Sequence, residues 1–444
     1  MLLSLKKAVI LLTAGLLTLP VVYAQKAQTN FKFDFGKGKA DRGYTKVTPE
    51  TVFNDQTGYG FDFDSKVAAV VNNDNRLTGD YVTADKPFYF SVNVPEGNYK
   101  VTVTLGDSKG YSLTTIRAES RRLMLEKIKT ANGEIKKLSF IVNIRRPVIS
   151  TGGEVSRKPR EFGKLDWDDK LTLEFNDSHP CIDAVEIEKV DNQVTVYLAG
   201  NSTVVDQDDE PWTSWGQIIP RFFKPGVAIA DHAESGLALS SFLGSHRLDK
   251  VLSVAKPGDY LFIEFGHNDQ KENGPNDGAY KSYTAYFKTF ISRAREKQMI
   301  PVIVTSTSRR QFNAKGEVEN TLGDFPDAAR KVAKELSVPL IDLNAMTAKF
   351  YEALGNEGSK KAFVWYPANT YPDQKVALAD NTHFNGYGAY EIAKCIIEGI
   401  RANHLGIEKY LIDSPPFDPS HPDDVNTWSL PPSPKNSTVK PDGN

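Results

Sequence analysis

Short apolar runs with alternating polar positions recur in the first part of the chain, between about residue 30 and residue 190. Turn residues separate these runs, as in Pro95-Glu96-Gly97-Asn98. Short strands at this spacing, with no convincing helical period between them, predict a β-sandwich. The segment 121–129 fits either a strand or a helix. The predicted strands are residues 31–35, 61–63, 88–92, 99–105, 138–144, 171–175 and 184–190.

The pattern changes at Thr195, where continuous apolar runs begin to alternate with segments of helical period. This alternation predicts α/β architecture: parallel βαβ units in three layers, with helices on both faces of one sheet. Such sheets place their chemistry at the carboxyl ends of the strands. The predicted strands are 195–199, 227–230, 259–265, 300–305 and 338–343, and the predicted helices are 215–223, 246–255, 281–298, 325–336 and 386–403.

The two ends of the chain follow neither pattern. Two lysines precede an apolar run at 9–19, and Val22-Tyr23-Ala24 has the form of a cleavage site, so residues 1–24 are predicted to be a signal peptide. The run is shorter than the ~20 residues that span a bilayer, and we expect no membrane insertion after cleavage. We therefore expect an exported protein, periplasmic or extracellular. It would comprise a sandwich domain (25–191), a catalytic domain (192–410) and a Pro- and Asp-rich tail (411–444) that is either a surface strap or disordered.

Composition narrows the function classes. Apolar residues make up 40% of the chain, enough for packed cores. The 54 basic and 56 acidic residues leave a net charge of −2, without the basic excess typical of a nucleic-acid-binding protein. The only cysteines, Cys181 and Cys395, exclude a multi-cysteine metal site, and we expect them to be unpaired.

Four polar motifs follow predicted strands or precede a predicted helix. They contain Ser202 in Gly200-Asn201-Ser202-Thr203, Gly236 after the second strand, Asn268 in Gly266-His267-Asn268-Asp269, and Asp380-Asn381-Thr382-His383 before the last helix. Each has an ordinary structural interpretation on its own: a helix cap, a turn glycine, an Asx turn and a helix N-terminus. Together they supply a hydroxyl nucleophile, amide donors and an acid–base pair, which is the set that acyl transfer requires.

These motifs resemble those of the SGNH (GDSL-type) hydrolases, and within that superfamily they look most like rhamnogalacturonan acetylesterases. The resemblance covers about 195–405 and implies a flavodoxin-like sheet. It implies that Ser202, Asp380 and His383 are the catalytic triad, and that Ser202, Gly236 and Asn268 form the oxyanion hole. His267 matches a position where substrate binding is plausible. The preceding region is similar to the galactose-binding-like jelly-roll sandwich found ahead of some bacterial esterases.

The chain departs from the superfamily pattern at two places. The residue before the nucleophile is usually Asp and is Asn201 here, which keeps a side-chain acceptor for the turn but lacks the charge. Leu237 and Ala238 replace a frequent Arg-Ser after the glycine. We expect the first change to leave activity intact and the second to alter contacts with substrate.

The resemblance implies a serine esterase that removes O-acetyl groups from pectic rhamnogalacturonan, a plant cell-wall polysaccharide, with no metal or organic cofactor. The predicted signal peptide makes this an exported enzyme. Arg309 and Arg310 are candidates for contacting the uronate carboxylates of such a polymer. Side chains that could stack on sugar rings are Trp212, Trp215, Tyr366 and Tyr371. The alternatives are an acetylesterase for another glycan, such as xylan or peptidoglycan, and a carbohydrate-binding protein with a degenerate esterase domain. A glycosidase is less favoured because no carboxylate pair stands out at strand ends.

Overall fold

The computed structural model describes residues 28–73 and 75–442. The predicted signal peptide lies outside these residues. The strands are β1 Asn30–Phe35, β2 Thr45–Val47, β3 Tyr59–Asp62, β4 Ala68–Val71, β5 Asp80–Thr83, β6 Phe88–Asn93, β7 Gly97–Gly106, β8 Ser112–Ala118, β9 Arg122–Thr130, β10 Ile135–Ile144, β11 Lys170–His179, β12 Cys181–Ile182, β13 Ala184–Lys189, β14 Val194–Ala199, β15 Val227–Asp231, β16 Tyr260–Phe265, β17 Ile300–Thr305, β18 Leu340–Ile341, β19 Phe363–Tyr366 and β20 Leu378–Phe384.

The first thirteen strands form the predicted β-sandwich. Two five-stranded sheets, ordered β10-β7-β13-β1-β2 and β3-β6-β11-β8-β9, enclose an aromatic-rich core, and a three-stranded sheet β12-β5-β4 accompanies them. Phe90 lies in this core, and its ring centroid is 4.9 Å from that of Phe35. The ambiguous segment 121–129 is strand β9. The sequence pattern missed β2, β4, β5, β8 and β12, most of which are short.

The second part of the chain is the predicted α/β domain. Its five-stranded sheet has the order β15-β14-β16-β17-β18, and every neighbouring pair is parallel. The next two strands after β14 in sequence, β15 and β16, lie on opposite sides of it, so the strand order switches direction at β14. Ligands bind at such a switch point in open α/β sheets. The helices are α1 Trp215–Ile218, α2 Leu239–Gly244, α3 Arg247–Val254, α4 Thr284–Glu296, α5 Phe325–Leu336, α6 Leu343–Ser359 and α7 Gly386–Ala402.

Several predicted elements differ in extent from the observed ones. Predicted strand 338–343 is only Leu340–Ile341, because Asp342 caps a long helix, α6, that the pattern did not reveal. The predicted helix 215–223 is one α-helical turn followed by a 3₁₀ turn at Ile219–Phe222, where Pro220 lacks the N–H that α-helix continuation requires. The strand Ile300–Thr305 and the helix Phe325–Leu336 match their predicted bounds.

Buried ion pairs join the sandwich to the loop that follows Ser202. The Arg122 Nε lies 2.6 Å from Asp206 Oδ2, and the Arg145 Nη1 lies 3.8 Å from the same oxygen. Arg121 donates to the carbonyl oxygens of Gln207 and Trp212. Because a buried charge without its partner is strongly destabilising, these pairs hold the loop against the sandwich.

The C-terminal segment follows the surface-strap alternative over its described residues, up to Asp442. It runs beside the sandwich, where Asn176 Nδ2 donates to Pro432 O at 2.9 Å, and Ser433 Oγ donates to Glu174 Oε2 at 2.7 Å. It then pairs with Glu210 in an isolated parallel bridge at Asn436. The strap therefore returns toward the carboxyl end of β14. Both cysteines are buried and unpaired, as expected. Within the described part of the chain, no helix has the length and apolar character needed to cross a membrane.

Candidate active site

Ser202 lies in a tight turn directly after β14. The Val204 and Val205 amides both donate to Asn201 O at 3.0 Å, and the Thr203 amide donates to Asn201 Oδ1 at 3.1 Å. Asn201 thus keeps the acceptor role expected of this position. Ser202 caps no helix, because the next helix begins at Trp215, where the sequence predicted it. The intervening residues are held by contacts to the sandwich.

Ser202, His383 and Asp380 form one continuous hydrogen-bonded chain. The His383 Nε2 lies 2.8 Å from Ser202 Oγ, and its Nδ1 lies 2.9 Å from Asp380 Oδ2. All three residues are buried, and Ser202 keeps 6% of its surface exposed. The Asp380 carboxylate accepts a hydrogen bond from Nδ1–H of His383. The neutral imidazole therefore presents Nε2 as an acceptor for the serine hydroxyl. The three side chains are therefore arranged for proton transfer from Ser202.

The backbone around Asp380 holds its carboxylate in place. The amides of Thr382 and His383 donate to Asp380 Oδ1 at 2.7 and 2.9 Å. Burial opposes ionisation, but the hydrogen bonds and charge of His383, together with these amides, lower the pKa of Asp380 to about 2. Asp380 is therefore ionised throughout the physiological range. It caps no helix: α7 is capped by Asn385, whose side chain accepts from the Gly388 amide at 3.1 Å.

The predicted oxyanion donors come from the turns after β15 and β16, on either side of the switch point. Gly236 has φ +79°, in the left-handed region that a side chain rarely adopts. The Asn268 side-chain amide donates to Leu237 O at 3.0 Å, which ties the two turns together. This bond uses one N–H of the amide and leaves a second N–H to donate elsewhere.

His267 is buried, with 2% of its surface exposed. Burial, with the nearby charges of Arg309 and His383, lowers its pKa well below the usual range, so the ring is neutral. Its predicted role in substrate binding remains a prediction.

Glu264, at the end of β16, supports the turn that carries Ser202. Its carboxyl accepts from Thr203 Oγ1 at 2.9 Å and from Trp215 Nε1 at 2.6 Å. Complete burial raises its pKa to about 7, even though both hydrogen bonds favour the ionised form. Trp215 is therefore part of the core beneath the site and not a surface for stacking sugars.

We expect Glu264→Gln to change the pH dependence of stability. The folded protein keeps a proton on Glu264 between its ordinary pKa of 4.5 and about 7, whereas the unfolded chain has released it. The wild type therefore loses stability as pH rises through this window, and the neutral glutamine does not. The free energy of unfolding of the variant, relative to wild type, should rise by about 2–3 kcal/mol between pH 4.5 and 7.5.

Urea denaturation at several pH values measures this difference. Glu296→Gln, at an exposed position of α4, controls for the substitution itself. A difference between variant and wild type that stays constant with pH would contradict a raised pKa for Glu264.

Sequence reasoning missed several residues at the site. The Trp212 ring lies edge-on to His383, with centroids 5.7 Å apart, and its Nε1 donates to Ser437 O at 2.9 Å. The Lys440 Nζ lies 3.3 Å from Asp380 Oδ2. The sequence predicted Trp212 only as a residue that could stack on sugar rings, not as a neighbour of His383. Nothing in the sequence marked Lys440, because it lies in the tail without periodicity.

The two arginines proposed from sequence have different surroundings. Arg310 is buried and donates to Asn381 Oδ1 at 3.0 Å and to Asn356 O at 2.6 Å, so it anchors the turn that carries Asp380. Arg309 lies close enough to Asp380 to interact with its charge. Arg310 is thus a structural residue, and only Arg309 remains a candidate for contacting substrate. Across residues 28–73 and 75–442, no group of three or more His, Cys, Asp and Glu side chains is placed to hold a metal ion.

Two family models match the chain. Residues 31–142 match the galactose-binding-domain-like model of the β-agarase/YXIM esterase-like group. Residues 198–389 match the GDSL-like lipase/acylhydrolase family, and this range contains all the predicted triad and oxyanion residues.

Curated relatives match either about half of the chain or most of it. The rhamnogalacturonan acetylesterase RhgT of Bacillus subtilis is 43% identical over 221 residues, which are 49% of this chain and 94% of RhgT. The rhamnogalacturonan acetylesterase of Emericella nidulans is 27% identical over 238 residues, covering 49% of this chain and 89% of that protein. The uncharacterized esterase YxiM of Bacillus subtilis is 23% identical over 385 residues, covering 84% of this chain and 90% of YxiM.

Among solved structures, that of Bacillus subtilis YXIM aligns with a TM-score of 0.45 and 20% identity, covering 85% of this chain and 99% of that one. A catalytic mutant of an acetylxylan esterase from Geobacillus stearothermophilus aligns with a TM-score of 0.34 and 14% identity, covering 48% of this chain and 95% of that one.

Proposed function

This chain belongs to the GDSL-like lipase/acylhydrolase family and is a carbohydrate acetylesterase; we propose that it removes O-acetyl groups from rhamnogalacturonan through an acetyl-Ser202 intermediate. The observation that carries the mechanism is the hydrogen-bonded chain from Ser202 Oγ through His383 to Asp380, with links of 2.8 and 2.9 Å. This arrangement explains how a neutral serine becomes a nucleophile without a metal ion.

In the first half of the reaction, His383 Nε2 takes the proton of the Ser202 hydroxyl as Oγ attacks the acetyl carbonyl carbon. Asp380 holds the imidazole in the required tautomer and stabilises its charged form. The bond to the sugar oxygen then breaks, and the imidazolium gives its proton to that oxygen. The products of this half-reaction are the free sugar hydroxyl and the acetyl ester of Ser202.

The second half repeats these steps with water. His383 takes one proton from the attacking water as the water oxygen bonds to the acetyl carbon. The bond from that carbon to Ser202 Oγ then breaks, and His383 gives the proton to Oγ. Acetic acid leaves and ionises to acetate in solution. In both halves a negative charge develops on the carbonyl oxygen. The amides of Ser202 and Gly236 and the side chain of Asn268 are the donors that we propose for this oxyanion. One such donor lowers the barrier by about 3–4 kcal/mol.

The proposed substrate rests on the relatives and on local charge. RhgT and the protein of Emericella nidulans are rhamnogalacturonan acetylesterases by name. Rhamnogalacturonan is an anionic polymer, and the net charge of −2 gives the chain no overall attraction to it. Arg309 supplies a cation close enough to Asp380 to interact with its charge.

Acetate release from acetylated rhamnogalacturonan and from acetylated xylan, measured in parallel, tests this function. We expect rapid release from the pectic polymer and release at least tenfold slower from xylan. Preferential release from xylan would keep the mechanism and replace the substrate. Release from neither polymer, by folded protein, would refute the acetylesterase function on these glycans and favour a binding role. Formation of reducing ends without acetate would indicate a glycosidase.

We also propose that the protein is exported, on the basis of the signal-like pattern in residues 1–24. Mass spectrometry of the mature protein should give an N-terminus at Gln25. An intact N-terminus on cell-associated protein would contradict export by a cleaved signal.

A further inference from the structure

Two cations from the sandwich domain reach the turn that carries Gly236. Lys158 and Arg160 lie in the long connection between β10 and β11. The Lys158 Nζ donates to Ser235 O at 2.6 Å, and Arg160 Nη2 donates to the same oxygen at 2.8 Å. A Cβ built on Gly236 would lie 3.0 Å from Lys158 Nζ. The two cations are therefore adjacent to the proposed oxyanion hole.

A carboxylate from the chain's own tail occupies this place. The Asp442 Oδ2 lies 3.5 Å from Lys158 Nζ and 3.3 Å from Arg160 Nη1. A Cβ added to Gly236 would lie 2.9 Å from the Asp442 Cβ, so the tail packs directly on the glycine. Two residues earlier, Lys440 contacts Asp380. The end of the strap thus bridges the two sides of the site, from the triad carboxylate to the oxyanion turn.

The local charge favours an anion at this position. Arg160 also forms an ion pair with Glu234. The Glu234 carboxylate is shared, because it lies 3.7 Å from Lys164 Nζ. Lys164 Nζ also lies 2.7 Å from the carboxylate of Asp208. Without Asp442, three cations (Lys158, Arg160 and Lys164) face two anions (Glu234 and Asp208), which leaves an excess of one positive charge. Lys158 and Arg160 remain about 30% exposed, so a substrate can reach them.

We propose that Lys158 and Arg160 form a subsite for the carboxylate of a uronic acid in the substrate, and that Asp442 occupies this subsite when substrate is absent. The inference rests on the proposed function and extends it, because it assigns the recognition of an acidic sugar to the sandwich domain. Binding of a uronate requires displacement of the Asp442 side chain. The tail then competes more strongly with acidic substrates, which need the two cations that Asp442 occupies, than with substrates that lack a carboxylate at this position.

A matched pair of substrates isolates the subsite. Acetylated rhamnogalacturonan oligosaccharides are used as the free acids and with their galacturonate carboxylates converted to methyl esters, so that only charge and one small group differ. The readout is acetate release, expressed as the ratio of kcat/KM for the acidic form to kcat/KM for the ester form. Lys158→Gln should lower this ratio about tenfold through KM, because it removes one charged hydrogen bond. Asp442→Asn should raise the ratio about threefold by weakening the competitor.

Controls separate recognition from support of the turn. Lys297→Gln, at an exposed lysine on the end of α4, should leave the ratio unchanged. Equal losses on both substrate forms in Lys158→Gln would overturn the subsite, since they would mean that Lys158 only supports Ser235 and Gly236. An unchanged ratio in Asp442→Asn would overturn the competition by the tail.

A binding measurement keeps the subsite testable if the proposed function fails. If the wild type releases acetate from neither form, the proposed function is refuted. Calorimetric titration with deacetylated rhamnogalacturonan oligosaccharides then decides the subsite. Binding about tenfold weaker in Lys158→Gln than in wild type would support it, and equal binding or no binding by the wild type would overturn it.

Discussion

Ser202→Ala is expected to lower kcat on acetylated substrate by about four to six orders of magnitude while leaving the fold intact. The Ser202 hydroxyl lies at the carboxyl end of β14, and its oxygen is 2.8 Å from His383 Nε2. The side chain makes no other hydrogen bond among the described residues, and its removal leaves a space of one oxygen atom at a 6% exposed position. The loss should therefore appear in catalysis and not in stability.

Acetate release under single-turnover conditions measures this loss, and circular dichroism with thermal unfolding checks the fold. Ser292→Ala, on the exposed face of α4, is the matched control and should retain wild-type turnover. A turnover rate of Ser202→Ala within tenfold of the wild-type rate, after exclusion of contaminating esterase, would eliminate Ser202 as the nucleophile.

Asp380→Asn is expected to lower kcat by about 10⁴-fold. The asparagine oxygen can still accept from the amides of Thr382 and His383, so the turn keeps its shape. Its NH₂ group then faces His383 Nδ1, which must become an acceptor. The ring proton moves to Nε2, and His383 can no longer accept the proton of Ser202. The defect therefore lies in the tautomer of the histidine and not in its position.

The chain offers a matched control for this substitution. Asp418 and His421 form an Asp–His pair of the same sequence spacing, with Oδ2 and Nδ1 3.0 Å apart, on an exposed part of the strap. Asp418→Asn makes the same chemical change there and should leave kcat at the wild-type value. Nitrogen NMR of the imidazole rings measures the tautomer directly. A wild-type tautomer at His383 in Asp380→Asn, together with an unchanged kcat, would remove Asp380 from the mechanism.

Asp380→Asn should also alter stability in acid. The pKa of Asp380 is held at about 2, below its ordinary value of 3.8, so its ionised form stabilises the folded protein above about pH 4. This contribution is lost as pH falls through 2. The variant lacks it at every pH, and its deficit in the free energy of unfolding should shrink between pH 4 and 2.

Local pattern was sufficient to divide the chain into a sandwich and an α/β domain and to place Ser202, Gly236 and Asn268 after strands of one sheet. It did not predict strand β20, which carries Asp380 and His383. Alternation with a period of two marks a strand with one buried face, and continuous apolar runs mark strands covered on both faces, so the change at Thr195 separated the sandwich from the α/β domain. Polar residues directly after buried strands must lie at the edge of the sheet. Ser202, Gly236 and Asn268 were therefore placed together from sequence, and their geometry agrees with that placement.

Tertiary structure decided which charged side chains face this site. Arg309 and Arg310 are neighbours in sequence, yet one lies near Asp380 and the other is buried as an anchor of the Asp380 turn. Lys158 and Asp442 meet beside Gly236 although 284 residues separate them. The periodicity of apolar residues indicates only which face of a strand or helix is buried. Which distant charges meet depends on how the two domains and the strap, whose sequence has no periodicity, pack together. The same packing sets the pKa values of the site: burial raises the pKa of Glu264, whereas hydrogen bonds lower that of Asp380.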